Sequence, residues 1–456
     1  MGTTQSCQDL KEISETACQM HSCVKNVYGL VGETASPTDA WIMEYFPGTK
    51  YGNEPCHGGF LKWWIKPSSV NKIIEEYDME PKKLLSMRYN YKKVIALDYE
   101  KNVYKDIIRP LIDYNICPNF IRYLGSGEGC NIDDMYKMLI GKTSGCSMND
   151  LLKGKIDSNC NLISNEIFHN LKRNLTYMLN GNENRPSINK VTIGNPKNTD
   201  IVVDDDLIKE IKCNLLIVQL IRPMVATKFS RWFVYIQKAS FNNTTLRVIF
   251  QVVAGCYAMA LSKMTHNDLH YENIWVERLP IPKNITYILN GISYTFINTE
   301  HNAMIFDFDR SYVQRLGKNI LLSDDSISSQ QNTLISNKDV IKIFWYLYEE
   351  KIMDKFILKL LCPNDKSRKF LTEVYMNGPN LVHPKTGVLS EKDYAKFRPI
   401  EDIIYLLSQL MSQDETGVII NNQQIASDTT YICNKEIFEI DGSINITTLE
   451  RQRNEL

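Results

Sequence analysis

Apolar positions along this chain change period near its middle. Residues 27–46, "VYGLVGETASPTDAWIMEYF", and 58–67, "GGFLKWWIKP", are rich in aromatic and branched residues with Gly and Pro punctuation, which predicts strands. "VIALDYEKNVYKDIIRPLID" (94–113) then places Leu97, Val103, Tyr104, Ile107, Ile108 and Leu111 at helical spacing, with Pro110 near the end. "NFIRYLGSG" (119–127) reads as a strand running into a glycine turn, and "CNLLIVQLI" (213–221) as a buried strand. Between them, residues 126–212 are polar, weakly periodic and rich in Asn, Lys, Asp and Gly, which predicts an insertion with local helices and loops.

Beyond Pro223 the period becomes helical. Leu246, Ile249, Phe250, Val253, Tyr257, Ala260, Leu261 and Met264 recur at three and four, behind the capping residues of "FNNTT". "ITYILNGISYTF" predicts a hairpin turning at Asn290-Gly291, since both residues accept positive φ. "AMIFDFDRSYV" is a strand with a charged end, Val340, Ile343, Phe344 and Leu347 mark one face of a helix, and "IEDIIYLLSQLMSQ" marks another helix. No internal repeat is visible. Strands first and helices later predict an α+β chain of two lobes: a tail over 1–25, a strand-rich lobe over 26–220 that carries the insertion, and a helical lobe over 221–456 with a C-terminal extension.

A length of 456 residues with 43% hydrophobic and 23% charged content suits a globular chain with a well-buried core. Formal net charge is −1, so no global field draws the protein to nucleic acid. Twelve cysteines are scattered without the two-residue spacing of a zinc knuckle or redox dithiol, and several sit in apolar runs as small hydrophobes, which predicts a reducing, intracellular and cytoplasmic setting. No apolar run approaches bilayer-spanning length and no signal peptide opens the chain. "MGTTQSC" fits myristoylation of Gly2 with Cys7 as a second acyl site, the one route to a membrane.

The chemistry concentrates in "THNDLHYENIWVE" (265–277), just past the long helix. Asp268 and Asn273 lie five apart, and Asp307 and Asp309 end a strand downstream. Phosphoryl transfer needs one carboxylate to accept a hydroxyl proton and hard oxygen ligands to hold Mg²⁺ against phosphates. Asp268 suits the first task; Asn273 and Asp307 suit the second. Against this stands the plain reading that Asp and Asn here only cap and turn.

"HNDLHYEN" followed by "IFDFDRS" resembles the catalytic and metal-binding loops of the protein-kinase-like superfamily, H-R-D-L-x-x-x-N then D-F-G. His270, two residues past Asp268, makes the pattern similar to haspin-type kinases and kinase-like proteins of large DNA viruses, and it also occurs in small-molecule kinases of the aminoglycoside and choline type. The Asn/Ile/Lys-rich texture favours a virus-encoded protein. The resemblance implies a two-lobed kinase fold, ATP and Mg²⁺ as cofactors, and a protein substrate with a Ser or Thr acceptor. It implies that Lys62, held by Glu100, grips the phosphates, with Lys66 and Glu75 or Glu76 as competing partners, and that a Lys62 whose head simply reaches water is the bland alternative. Gly29 and Gly32 would stand for the glycine-rich loop, and Gln219 and Leu220 would lie near the adenine-binding hinge. Asp339 would brace the catalytic loop from below.

Three positions depart from the family pattern. Asn267 replaces an arginine that pairs with a phosphate, which implies activity without that phosphorylation. His270 replaces a lysine; protonated, it would supply that charge and turnover would fall as pH rises. Asp309 replaces a glycine, stiffening the loop. No A-P-E-like end is visible between Ser311 and Asn337. Three other readings remain open: a small-molecule kinase of the aminoglycoside or choline type, a zinc hydrolase with His266, Asp268 and His270 as ligands, and a nucleotide-binding pseudokinase scaffold.

Overall fold

Alternating apolar stretches in the first part of the chain pair into one antiparallel sheet. The computed structural model describes residues 9–13, 17–29, 40–66, 94–131, 212–220, 227–229, 232, 243–319, 322, 333–349, 354–375, 382–383, 387–411, 418–420 and 427–455. The fold is α+β, and the chain divides into two compact units: residues 1–101 with 123–224, and residues 102–122 with 225–456. The lobe boundary expected after residue 220 thus falls near 224, and residues 102–122 go with the second unit.

The first unit holds β1 (Val24–Gly29), β2 (Ala40–Tyr45), β3 (Gly58–Ile65), β4 (Tyr123–Asn131) and β5 (Lys212–Leu220) in the order β1-β2-β3-β5-β4. β4 and β5 are antiparallel neighbours, so the expected insertion joins two paired strands; its residues 132–211 lie outside those described, as does the acylation motif. Leu61, Trp63 and Trp64 of β3 are all buried, as are Leu215, Leu216 and Ile217 of β5, so this sheet is covered on both faces. Cys18 and Cys130 form a disulfide across a sequence separation of 112, a pairing that spacing along the chain does not reveal. Gly127 makes room for it, since a Cβ there would meet both sulfurs at 2.4 and 2.7 Å. Cys213 and Cys256 are free and buried, as their apolar surroundings predict.

The second unit is built around a long two-stranded ribbon. Sequence reading separates a short strand after the catalytic loop, a hairpin, and a strand before Asp307. The structure fuses them into β6 (Ile274–Leu289) and β7 (Ile292–Ile305), turning at Asn290 and Gly291 with φ of 51° and 80°. Pro280 and Pro282, which cannot donate to a ladder, hide the continuity; the register shifts between Arg278 and Ile285, where they sit. β8 (Val418–Ile420) and β9 (Thr429–Cys433) extend the ribbon into a sheet. Helix α2 (Asn243–Leu261), which follows the helical run 94–113 (α1), packs on the ribbon with Phe250 among the rings of Tyr287, Tyr294 and Phe296, and Leu246, Val253 and Tyr257 are buried as well. Contrary to the sequence expectation, 18 residues of α2 are long and apolar enough to cross a membrane, but 78% of that window is buried as a core helix is. Helix α3 (Lys338–Glu349) buries the predicted face, Val340, Ile343, Phe344 and Leu347, and also Ile341 and Trp345.

Two details fix the ribbon's open end. Asn119 is fully buried, and its Nδ2 reaches Gln251 Oε1 at 3.2 Å and the Ala303 carbonyl at 3.1 Å, while its own carbonyl accepts from the Ile305 N–H. Within α1, Tyr104–Ile108 is a π turn. Pro110 has no N–H to offer the Asp106 carbonyl; that carbonyl accepts from the Arg315 guanidinium instead, and the Arg109 N–H reaches back to Tyr104 O. Asn119→Ala strands several of these buried groups, so a fall of roughly 1–3 kcal/mol in unfolding free energy is expected, read from the urea midpoint.

Candidate functional site

In the first unit the relevant geometry is an ion pair. Lys62 lies on β3 between Ala40 of β2 and Leu216 of β5, and its Nζ contacts Glu100 Oε1 at 2.9 Å and Oε2 at 3.0 Å. Glu100 is 1% exposed and comes from the start of α1. A lysine stem inside an apolar strand brings its charge to a buried carboxylate, so each compensates the other's desolvation. The lysine therefore does not simply extend to water. Lys66 ends the strand with its N–H on the Lys212 carbonyl, and Glu75 and Glu76 lie outside the described residues. Gly29 ends β1 opposite Trp41, Gly32 lies outside the described residues, and Gln219 and Leu220 close β5, with Gln219 buried.

In the second unit the ribbon explains how distant residues meet. Ile274 pairs with Ile305, which brings Phe306, and Asp307 one residue beyond it, back to the end of the ribbon that Asn273 begins, although Asn273 and Asp307 are 34 apart in sequence. The Phe306 N–H donates to the Asn273 carbonyl at 3.1 Å, and Asn273 Nδ2 donates to the Asp268 carbonyl at 3.0 Å. The loop holding Asp268 is pinned beneath. Asp339, 3% exposed at the start of α3, accepts the N–H of His266 at 2.7 Å and of Asn267 at 3.0 Å. His266 is fully buried with Nε2 at 2.9 Å from the Phe306 carbonyl, a structural placement.

Backbone strain marks the same place. Asn267 and Asp307 take φ of 65° and 69°, a left-handed conformation that costs most residues energy and that Asn and Asp bear best. The turn after Asp307 is held by Phe308, whose ring lies 5.0 Å from those of both Tyr104 and His266 and 6.3 Å from that of Phe120. Tyr104 Oη accepts the Asp307 N–H at 3.3 Å. Asn319, fully buried, donates to the carbonyls of Asp309 and Ser311 at 2.7 and 2.8 Å, which fixes the segment that Asp309 begins.

Cations surround Asp268. Lys342 Nζ lies 3.2 Å from Oδ1 and Arg310 Nε 3.9 Å from Oδ2. Asn267 accepts from Lys338 Nζ at 2.7 Å through Oδ1 and donates to the Arg310 carbonyl through Nδ2, so both ends of its amide are engaged. Burial pulls the Lys338 amine down to about 8. Burial draws the His270 pKa below the ordinary imidazole value, and its Nδ1 accepts from the Glu272 N–H; both favour the neutral ring. Asn273 and Asp307 carry amide and carboxylate oxygens, the donor types Mg²⁺ takes, and Mg²⁺ needs few protein oxygens because water and phosphate supply the rest. The amide of Asn273 commits its nitrogen to Asp268 O, which turns its oxygen to the opposite side. The zinc alternative fails on geometry: His266 is buried on Phe306 O, and among the described residues no three His, Cys, Asp or Glu converge on a metal.

Lys338, Lys342, Tyr104 and Asn319 were not singled out from sequence. The signal for Lys342 was a lysine between Ile341 and Ile343 in an otherwise apolar run; Tyr104 and Asn319 gave none, because their partners are far along the chain.

Two stability tests follow from these pairs. Lys62→Met takes the ammonium away from a buried Glu100 and should cost roughly 3–5 kcal/mol, while adding Glu100→Leu should recover most of it; additive losses in denaturation would exclude the coupling. Lys338 binds its proton less tightly when folded, so between pH 8 and 10 the unfolded chain holds more protons and stability rises with pH. Relative to Lys338→Met, the wild type should gain roughly 1–2 kcal/mol across that window in pH-dependent unfolding. Comparison of the chain with protein-family models, curated proteins and solved structures gives no match.

Proposed function

We propose that the protein is an ATP- and Mg²⁺-dependent phosphotransferase that moves the γ-phosphoryl group to Ser or Thr hydroxyls of protein substrates. The fold that goes with this reading is a two-lobed, protein-kinase-like one, with the β1–β5 unit as the small lobe. One observation carries it. The ribbon returns Asp307 to Asn273, beside a loop that Asp339 and His266 clamp and that presents Asp268. Capping residues have no need of a buried carboxylate spent on two loop amides, nor of an aspartate at positive φ.

In the reaction, the acceptor hydroxyl oxygen bonds to the γ-phosphorus, and the bond from that phosphorus to the β,γ-bridging oxygen breaks. The electron pair leaves with ADP, and the hydroxyl proton passes to Asp268. Asn273 and Asp307 hold Mg²⁺, which when bound neutralises charge on the phosphates. Lys62, oriented by Glu100, binds the α/β-phosphates, with Gly29, Gly32, Gln219 and Leu220 on the nucleotide side. Asn267, engaged by Lys338, replaces an arginine that needs phosphorylation, so the protein is active as synthesised.

The test is phosphate transfer from radiolabelled ATP with Mg²⁺ to mixed protein acceptors. Asp268→Asn is expected to lose roughly 10²–10⁴-fold in kcat, and Asp307→Ala to abolish Mg²⁺-dependent labelling. Wild type that binds ATP but labels nothing would instead assign a scaffold.

A further inference from the structure

Asp268 can act on an acceptor only if its carboxylate is held in one orientation, and the loop that carries it supplies no charged group for that purpose. His270, the nearest basic side chain on the loop, is occupied at Nδ1 by the Glu272 N–H and packs its ring against Tyr271 and Tyr346. Asn267 and Asn273 contact the loop's backbone and neighbours rather than the carboxylate. The carboxylate is held from a different element. Lys342 projects from α3, its side chain 14% exposed, and its Nζ makes two contacts: Asp268 Oδ1 at 3.2 Å and the Asn267 carbonyl at 3.0 Å.

We propose that Lys342 is a positioning residue for phosphoryl transfer, fixing Asp268 through Oδ1 so that Oδ2 faces the acceptor hydroxyl. This rests on the phosphotransferase reading above.

Three observations support it. The lysine cannot drift, because the same helix is fixed to the same loop one turn earlier: Asp339 accepts two loop amides and Lys338 donates to the Asn267 side chain. Residues 338 and 342 are four apart, so both project toward the loop from one face of the helix. Among the described residues the remaining oxygen, Oδ2, has only Arg310 at 3.9 Å, beyond hydrogen-bond length, and that arginine is exposed and able to yield to a substrate. An ammonium on one oxygen leaves the lone pairs of the second oxygen to take the incoming proton.

The experiment compares wild type, Lys342→Met, Lys342→Gln and Lys342→Arg in the ATP/Mg²⁺ transfer assay. Melting temperature and ATP dissociation constant are measured alongside, and Asp307→Ala serves as the inactive control. Expected are a kcat loss of roughly 10- to 100-fold for Met and Gln, an ATP affinity within about twofold of wild type, and recovery of most activity by Arg, which keeps the charge. If Met fails to fold, Gln and Arg decide. Transfer by Met or Gln at close to the wild-type rate overturns the assignment of Lys342 and leaves the phosphotransferase reading intact, as does an Arg variant that folds yet is no better than Gln. A wild type no more active than Asp307→Ala overturns the phosphotransferase reading, and the role of Lys342 with it.

Discussion

The carboxylate of Asp339 accepts two consecutive backbone amides, those of His266 and Asn267, in a place sealed from water. Those amides are pinned from outside the loop, at the point where Asn267 is turned to positive φ and breaks any regular ladder. Without an acceptor each amide would carry a desolvation penalty of roughly 1–3 kcal/mol, enough to reorganise the loop. Everything the site does is downstream of this bond: the direction of Asp268, the seat of His266 under Phe306, and the reach of Asn273 back to the Asp268 carbonyl. Helix α3 is apolar on the side facing the core, so its burial holds Asp339 in place, and the carboxylate in turn converts helix packing into loop geometry.

The ribbon answers the complementary problem of bringing a residue from a remote part of the chain to that loop. An antiparallel pair returns its second strand to the start of the first, so any two residues flanking the open end become neighbours whatever the length between them. The excursion can therefore grow, bulge at its prolines and recruit further strands without moving Asn273 or Asp307 apart. Positive charge reaches the site by a similar division of labour. The loop itself holds Asn267 and a buried His270, while Lys338 and Lys342 arrive from below on the helix that already anchors the loop.

Much of this was legible in the sequence, for identifiable reasons. Helices α2 and α3 announced themselves because period and burial agree, and Asn290-Gly291 because two positive φ angles leave few residue choices. Asp268, Asn273 and Asp307 stood out because polar groups clustered between apolar runs have few reasons to be there. The ribbon's continuity was not legible, since Pro280 and Pro282 break the alternation by which strands are recognised while the chain stays extended through them. Nor was the Cys18–Cys130 bond, or the grip of Asn319 on the Asp309 carbonyl, because each joins positions whose proximity is a product of the fold. Lys342 fell between: a lysine amid isoleucines reads as a solvated stem until its partner is known.

The π turn at Tyr104–Ile108 sets the angular phase of its helix. A wider turn holds an additional residue, and each residue advances the helix by about 100°, so side chains before the turn are swung relative to those after it by about that amount. Tyr104, at the turn's first position, points its hydroxyl at the Asp307 amide, while Leu111 and Ile112 beyond it stay in the core. Excising a single residue from this segment would hardly shorten the helix; it would act as a rotation, carrying the tyrosine off its target while leaving composition and hydrophobicity almost untouched. Homologous chains that lack the proline should accordingly be compared by facing direction before they are compared by alignment column.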